Sequence, residues 1–363
     1  MSGIISSATE LFNNTLYSNQ YEIKDASKEK IKDMYNKSVD YATANNRDVI
    51  IAKIDLFIQK LKSMLKNADI LLVKTCDWFL HKILRSKWKR GSNQCMRTWY
   101  HYKHYGYLLK NYRDVEVPVT KNDGPIWMFW WQGVDTMPPI VRKCYDLAVL
   151  HAPKNNQVIL LTEANYKDYA HIPQYIVEKV KTGVITLTHF SDILRVTLLY
   201  EHGGLWMDAT LYSADYIPER IFTQSFFSVR TPKEGDWVSR CLWTGFFMGG
   251  VKGHPLFGFV RDLFFSYWKE HDELLDYFLI DLGIVMAYDN IPQIKKSIDC
   301  GVWKTDKLFI PQSNIDKTID LNRYHEILKE WSFFKMTYRD FFGKLIADKQ
   351  NGQYTWYGYM LSH

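Results

Sequence analysis

The sequence has few cysteines, and none of them lies in a spacing that normally binds metal. The five cysteines are an odd number, and no C-x-x-C pair occurs among them. Disulfide frameworks and zinc ribbons are therefore not indicated. Sparse, unpaired cysteine fits a reducing compartment, so a cytoplasmic location is expected.

Long apolar runs are absent as well. No window of 18 or more uninterrupted apolar residues occurs, so no helix is expected to span a bilayer. The first residues, "MSGIISSATELFNN", lack a basic region followed by an apolar one. They therefore do not have the pattern of a secretory signal peptide.

Several common catalytic signatures are missing too. The chain contains no H-E-x-x-H, no Walker P-loop, no G-x-S-x-G and no G-x-G-x-x-G at the start of a helix. Metalloprotease, P-loop kinase, esterase and dinucleotide-dependent oxidoreductase functions therefore lack support. The net charge of +6 is too small to indicate nucleic-acid binding, and none is expected. That charge does fit an anionic membrane or a phosphorylated ligand if it is clustered.

What the chain does have is length and aromatic side chains. Its 363 residues favour one large α/β domain plus a smaller region. Aromatic residues make up 16% of the sequence, including 13 Trp and 24 Tyr. Such residues suit carbohydrate surfaces because each offers an apolar face with a polar tip. A large aromatic core is the alternative interpretation.

Residues 1–115 are expected to form a helical region. Between residues 50 and 65, apolar side chains recur at spacings of three and four with lysines between them, and apolar, aromatic and basic segments follow up to residue 113. A basic cluster lies within this stretch at Arg85, Lys87, Lys89 and Arg90. Basic amphipathic helices with aromatic edges are typical of binding to a membrane surface. The alternative is an ordinary helical hairpin whose lysines lie in water.

From residue 116 to 363 the pattern changes to alternating strands and helices. The buried strands are predicted in "GPIWMFWWQG", "NQVILLTEAN" and "LWMDATLY", and helices are predicted between them. This order predicts an α/β fold with a mostly parallel central sheet covered on both faces. Sheets of this kind bind ligands at the carboxyl ends of their strands.

One helix in this region combines an acidic and a basic residue. Asp192 and Arg195 are three positions apart, so their side chains are expected on one face. Ser191 or Asp192 could also cap the helix, which would place both charges near its N-terminus. The alternative role for this pair is a helix cap with a surface ion pair, worth less than about 1 kcal/mol.

The segment after that helix carries the second candidate group. Gly203 and Gly204 end the helix and permit a tight turn. In the strand that follows, Asp208 and Thr210 are expected on the same face, because strand side chains alternate. A carboxylate and a hydroxyl at a strand end suit a hard divalent cation. The alternative is a carboxylate that caps a neighbouring turn.

"FSDILRVTLLYEHGGLWMDATLY" resembles the DXD region of glycosyltransferases that use nucleotide-sugar donors, and is most similar to the capsular polysaccharide synthesis proteins. The pattern there is approximately S-D-x-x-R-x-x-x-L-y-x-x-G-G-x-y-x-D-x-D. This sequence matches it at Ser191, Asp192, Arg195, Leu199, Tyr200, Gly203, Gly204 and Asp208. It departs at Thr210, which replaces the second aspartate, although capsule-type members commonly carry D-A-T. The resemblance extends over about residues 120–360.

The resemblance implies a GT-A type fold and a metal-assisted transfer. Asp208 would bind Mn²⁺ or Mg²⁺ between the donor's two phosphates, and Thr210 would bind metal through a water or not at all. Asp192 would bind hydroxyls of the donor sugar, and Arg195 the sugar or the diphosphate. The donor-binding set also includes Gly203 and Gly204 from the matched motif. Retention of the anomeric configuration is implied as well.

Further candidates lie outside this motif. Trp130 or Trp131, after the first strand, could stack on the nucleobase. Asp281, in an apolar stretch similar to the family's downstream acidic helix, could contact the reacting sugar or the acceptor as a catalytic residue. Trp356, near the C-terminus, could stack on the nucleotide as part of a lid; a place in the core is the alternative.

Together these features predict a hexosyltransferase that works on a surface-polysaccharide repeat unit. The expected donor is a nucleotide-sugar, with UDP favoured, and the expected acceptor is a saccharide linked to polyprenyl diphosphate. Residues 47–113 could then hold the enzyme on the inner face of the cell membrane. Two alternatives remain open: an effector that glycosylates a protein, and a protein that binds a nucleotide-sugar or glycan without turnover.

Overall fold

The computed structural model describes residues 66–71, 74, 89–232, 237–340, 343, 345–347 and 352–363. Residues 66–71 and Lys74 are helical. Most of the predicted basic amphipathic region, including Arg85 and Lys87, lies outside the described residues. Within the described ranges, no helix combines the length and the apolar character needed to cross a membrane.

The chain divides into two compact units, residues 1–104 and 105–363. The boundary predicted at residue 115 stays a prediction. In the first unit, the Nε2 atom of His104 lies 2.7 Å from a carboxylate oxygen of Asp69, and the Nζ atom of Lys103 lies 2.9 Å from the same carboxylate. Burial lowers the pKa of His104, although hydrogen bonding to Asp69 acts in the opposite direction.

The second unit is built on a six-stranded sheet with a small two-stranded sheet beside it. Its strands are β1 (Ile126–Phe129), β2 (Val158–Leu161), β3 (Gly204–Met207), β4 (Leu211–Ser213), β5 (Phe226–Arg230), β6 (Phe247–Gly250), β7 (Val302–Lys304) and β8 (Phe333–Lys335). The large sheet has the order β2-β1-β3-β6-β5-β7, and β4 pairs with β8 in the small one. Only β6 runs against its neighbours in the large sheet, so that sheet is mostly parallel.

Ten helices accompany the strands among the described residues. They are α1 (Lys89–Tyr105), α2 (Pro139–His151), α3 (Gln174–Lys181), α4 (Leu187–Glu201), α5 (Pro255–Glu270), α6 (Leu279–Asn290), α7 (Pro292–Gly301), α8 (Ile310–Ser313), α9 (Leu321–Leu328) and α10 (Trp356–Ser362). Short 3₁₀ turns also occur, at Gly106–Asn111, Val134–Thr136, Tyr166–Asp168 and Glu219–Thr223.

Helices cover both faces of the large sheet because its strand side chains alternate between two cores. Met128 of β1 packs in the same buried cluster as Ile140 of α2. The next residue, Phe129, meets the ring of Phe190 on α4, with ring centroids 6.3 Å apart. Strands β1, β3 and β6 are short, almost wholly buried apolar runs, as expected for a sheet covered on both sides. The predicted α/β fold class is confirmed.

Two local predictions are wrong, and both concern where an element begins or ends. Helix α4 starts at Leu187, and its cap is Thr186, whose hydroxyl accepts the backbone N–H of His189. Asp192 therefore lies inside the helix and does not cap it. Strand β3 ends at Met207, and Asp208 opens a turn in which its carbonyl accepts the N–H of Leu211. The alternation argument that placed Asp208 and Thr210 on one strand face therefore does not apply.

Candidate active site

A cavity of about 780 Å³ lies where β1 and β3 end. Trp130 and Trp131 line it from the segment after β1, and Asp208 lines it from the turn after β3. Residues 335–339, from the last residue of β8 onward, supply another wall. The carboxyl ends of neighbouring parallel strands meet at one sheet edge, which is why these segments converge. The site therefore occupies the position at which open α/β sheets bind ligands.

Arg195 joins the two predicted carboxylates. One terminal nitrogen lies 2.9 Å from Oδ1 of Asp192, and the other lies 3.2 Å from Oδ1 of Asp208. The guanidinium also lies over the ring of Trp206, 5.0 Å from its centroid. Arg195 is buried, and neither it nor Asp192 lines the cavity itself. Arg195 and Asp192 lie behind Asp208, and Arg195 orients the Asp208 carboxylate.

A third charged residue, Lys335, completes the network. Its Nζ atom donates a hydrogen bond to Oδ2 of Asp208 at 2.8 Å, while the Trp206 indole donates to Oδ1 at 2.9 Å. Burial works against ionisation of Asp208, but the charges of Lys335 and Arg195 outweigh it and lower the pKa of Asp208. Asp208 is therefore an anion held between two cations.

The residues around Asp208 do not fit a divalent cation well. Mg²⁺ and Mn²⁺ favour several oxygen ligands, usually including carboxylates. Both oxygens of Asp208 already accept hydrogen bonds from cationic or indole groups, and Asp192 is engaged by Arg195. No group of three metal-binding side chains occurs in the part of the chain that the structure describes. Thr210 lines the cavity as a single neutral hydroxyl.

Most of the chain matches one known protein family. A model of the family described as capsular polysaccharide synthesis protein matches residues 78–350. The chain belongs to this family. The predicted relation is confirmed, since the match covers well over half of the sequence.

One curated protein and one solved structure are each similar to part of this capsular polysaccharide synthesis chain. The O-glycosyltransferase braB of Annulohypoxylon truncatum is 30% identical over 100 residues, which are 25% of this chain and 24% of that protein. The chain thus spans about a quarter of the length of this relative. A solved structure, a PaToxG glycosyltransferase, matches 57% of this chain and 83% of its own, with 14% identity and a TM-score of 0.35.

The two glycines of the capsular family motif lie away from the cavity. Gly203 precedes β3 and Gly204 is its first residue, whereas Asp208 follows the strand, so the length of β3, about 13 Å, separates the glycine pair from Asp208. The side chain of Asn122 accepts the N–H of Gly204 and donates to its carbonyl, and the Trp127 indole donates to the carbonyl of Gly203. Their predicted contact with the donor is not supported, because their contacts join β3 to the start of β1.

Trp356 also lies apart from the cavity, since it is only 4% exposed and packs edge-on against Tyr324 in the core. The predicted lid role for Trp356 therefore does not fit. The core alternative describes its position, because an enclosed ring offers no face to a nucleotide.

His189 lies behind Asp192 and holds a defined tautomer. The Trp268 indole N–H lies 2.8 Å from Nε2 of His189. Because indole can only donate, Nε2 must accept, and the proton of the neutral ring lies on Nδ1. That Nδ1 atom is 3.7 Å from Oδ2 of Asp192. His189 thus presents a positive edge to the carboxylate without a direct hydrogen bond.

Asp281 lies in the first turn of α6, outside the cavity wall, and accepts the indole N–H of Trp243 at 2.8 Å. Burial raises the pKa of Asp281 to about 6; Trp243 opposes this shift, while the negative charge of Asp192 adds to it. Its predicted catalytic role stays a prediction. Because its pKa is raised, Asp281 changes its charge at a higher pH than an ordinary aspartate does.

That pKa has a measurable consequence for stability. Because the folded state of Asp281 binds its proton more tightly than the unfolded state, stability should fall as pH rises from about 4 to about 6. Asp281→Asn keeps an acceptor for Trp243 and removes this penalty. Urea unfolding should therefore show a larger gain for Asp281→Asn at about pH 7 than at about pH 4. Asp146→Asn, at an exposed position, serves as the control; an equal gain at both pH values would contradict the prediction.

Several cavity residues could not be found from the sequence. Lys335 is the last residue of β8, Arg339 comes from the segment after it, and Tyr277 comes from the loop before α6. Gln312 contributes a buried amide oxygen that has no hydrogen-bond partner among the described residues. No local motif marks these positions. They reach the site only through the pairing of β4 with β8 and the packing of α8 beneath it.

Proposed function

We propose that this protein is a glycosyltransferase that moves a hexosyl group from a nucleotide-sugar, with UDP favoured, to a lipid-linked saccharide during assembly of a surface polysaccharide. The observation that carries the proposal is the charged network at the cavity: Asp192, Arg195, Asp208 and Lys335. Such a network has no evident structural purpose at the carboxyl edge of a sheet. Membership of the capsular family and a glycosyltransferase relative support it.

The cavity has the parts that a nucleotide-sugar requires. Trp130 and Trp131 offer aromatic faces to a base, and Trp130 is fixed by its indole bond to Thr136 at 3.1 Å. Lys335 and Arg339 place positive charge where a diphosphate could lie. The volume of about 780 Å³ is within the range of pockets that enclose a ligand of this size.

The proposed reaction exchanges one bond to the anomeric carbon for another. The bond between that carbon and the donor's phosphate oxygen breaks, and its electron pair stays on the departing diphosphate. The acceptor's hydroxyl oxygen bonds to the carbon, and its proton passes to the diphosphate. Retention is proposed, because this exchange can occur on one face of the sugar with no nucleophile from the protein. Positive groups beside the diphosphate speed the reaction by stabilising the charge that builds there.

A lipid-linked acceptor would require the enzyme to work at a membrane surface, peripherally on its inner face. The support is the basic and aromatic composition of residues 47–113. Binding of the full chain to anionic vesicles, compared with neutral ones, tests this part of the proposal, and equal binding to both would contradict it.

The donor is tested by a thermal-shift screen of UDP-, GDP- and CDP-sugars on the wild type and Asp208→Asn. A ligand that binds only the folded state raises the melting temperature. One nucleotide class should stabilise the wild type and have a much smaller effect on Asp208→Asn, since the variant loses the anion that holds Lys335. Asp146→Asn is the matched control, because Asp146 is exposed and pairs only with Arg142 on its own helix.

Two results would contradict the proposal. If no nucleotide class stabilises the wild type, the donor site does not exist. If a nucleotide-sugar binds but is not hydrolysed when acceptor is withheld, and no acceptor receives sugar, the protein is a binding protein without turnover.

A further inference from the structure

We propose that Lys335, with Arg339 beside it, neutralises the donor's diphosphate in place of a divalent cation, so that nucleotide-sugar binding at this site does not require metal. This inference rests on the proposed function, because it assumes that a nucleotide diphosphate enters the cavity. It differs from the metal-assisted reaction that the resemblance of the motif implies.

The first argument is the position of Lys335. Its Nζ atom lies 2.8 Å from Oδ2 of Asp208. Oδ1 accepts from Arg195 and Trp206, so neither oxygen of Asp208 is left without a donor. A cation entering here would have to displace the lysine and would find one carboxylate in the cavity wall.

The second argument is that main-chain pairing between β8 and β4 fixes the position of Lys335. Strand β8 pairs with β4 so that Lys335 lies opposite Leu211, three residues after Asp208. The backbone N–H of Met336 donates to the carbonyl of Thr210 at 2.8 Å. The family motif and Lys335 are thus held in register by main-chain bonds, not by a flexible side chain alone. Thr210, where the motif has its second aspartate, lies beside the segment that delivers the lysine.

The third argument is the charge of the cavity wall. Among its lining residues, Lys335 and Arg339 are basic and Asp208 is acidic, so two positive charges and one negative leave one positive charge in excess. Arg339 is exposed, lies over the Tyr338 ring at 5.8 Å, and has no carboxylate partner among the described residues. An ammonium group has three donors, so Lys335 can keep Asp208 and still bind a phosphate oxygen.

These features give Asp208 a role that needs no metal. Its carboxylate fixes the ammonium of Lys335 at the cavity wall, and Arg195 fixes the carboxylate from behind. The lysine side chain is also held over the ring of Phe246, 4.5 Å from its centroid. A positive group held in place before the reaction costs little reorganisation when charge develops on the leaving group.

The experiment measures UDP binding by calorimetry, in excess chelator and in excess Mn²⁺, with GDP and CDP run in parallel. The wild type should bind one of these diphosphates with the same affinity in both conditions, within about threefold. Lys335→Met should weaken that binding in chelator by about 10- to 100-fold, the usual loss for a hydrogen bond to a charged group. The corresponding monophosphate should lose much less, because it lacks the second phosphate.

The matched control is Lys329→Met. Lys329 is exposed and pairs only with Glu326 on the same helical turn, so nucleotide binding should not change. The Lys335→Met variant also permits a second test, which is the effect of Mn²⁺ on its diphosphate binding. It leaves an oxygen of Asp208 without its cation, so Mn²⁺ should now strengthen diphosphate binding, an effect that a purely structural lysine would not produce.

The outcomes separate this inference from the proposed function. If the wild type binds UDP only with Mn²⁺ and Lys335→Met binds it equally well, the inference is wrong while the proposed donor site stands. If no diphosphate binds in either condition, both are wrong. Metal-independent binding that depends on Lys335 supports both.

Discussion

Arg195→Met should lower the free energy of unfolding by about 3 kcal/mol and reduce sugar transfer by about 100-fold or more. The guanidinium is the shared partner of Asp192 and Asp208, with contacts of 2.9 and 3.2 Å. Its removal leaves two carboxylates near each other, and Asp192 loses its ion pair with the guanidinium. Leaving a buried charge without its partner is among the largest single-site costs in a protein.

The expected loss of transfer has a separate cause. Arg195 does not line the cavity, so it acts on the donor through Asp208 and, in turn, through Lys335. Without Arg195, the carboxylate keeps its bonds to Trp206 and Lys335 but loses the contact that holds Oδ1 from behind, so the ammonium of Lys335 is positioned less firmly. The turnover number should therefore fall more than the donor affinity, because a misplaced charge affects the developing leaving group most.

Arg142→Met provides the matched comparison. Arg142 also lies on a helix and pairs with an aspartate, Asp146, at 2.8 Å. Both side chains are about half exposed, at 49% and 51%, so solvent screens the pair and its loss should cost less than about 1 kcal/mol. Urea denaturation of both variants measures the difference. Equal stability of Arg195→Met and Arg142→Met would show that the network at the site is only a surface ion pair.

Sequence reasoning succeeded where the structure depends on local pattern. The runs at Ile126–Phe129 and Val158–Leu161 are apolar over four residues and end beside polar or glycine-rich segments, which is enough to predict strands, although Val158–Leu161 is only partly buried. The motif around Asp208 was found because eight of its positions follow in order on a helix, a glycine pair and a strand. In the structure, Asp208 of this motif lines the cavity where β1 and β3 end.

Sequence reasoning failed where the decisive contact joins distant positions. Lys335 contacts Asp208 across 127 residues, and the strand that carries it, β8, is only three residues long. Nothing in "SFFKMTYRD" indicates that its lysine would meet the motif. The metal was predicted from Asp208 and Thr210 and from the resemblance of their motif, whereas the lysine that contacts the carboxylate cannot be found from local patterns.

The glycine pair has contacts that the motif match did not indicate. Gly203 and Gly204 match a motif whose best-known function is donor binding, so a position in the site was expected. Gly204 instead has φ of +99°, and a Cβ atom there would lie 2.2 Å from the carbonyl oxygen of Pro125. Only glycine permits β1 and β3 to begin so close together.

Gly204→Ala should therefore be one of the most destabilising single substitutions in the chain, at about 4 kcal/mol or more. The new methyl group meets backbone that cannot move without separating β1 from β3, and the positive φ adds its own strain. Gly183→Ala is the matched control, because Gly183 has φ of +77° and open space around its Cβ position. It should cost only the conformational penalty, about 1–2 kcal/mol. Urea denaturation gives both values.

The same variant decides between a structural and a donor-binding role for the glycine pair. If Gly204 serves only the packing of β1 on β3, the folded fraction of Gly204→Ala should bind the nucleotide diphosphate with wild-type affinity, since the site lies at the other end of β3. Unchanged stability with weakened nucleotide binding would instead place the pair in the donor site. The 2.2 Å approach to Pro125 favours the first result, because the space that a donor would occupy beside Gly204 is already filled by the backbone of β1.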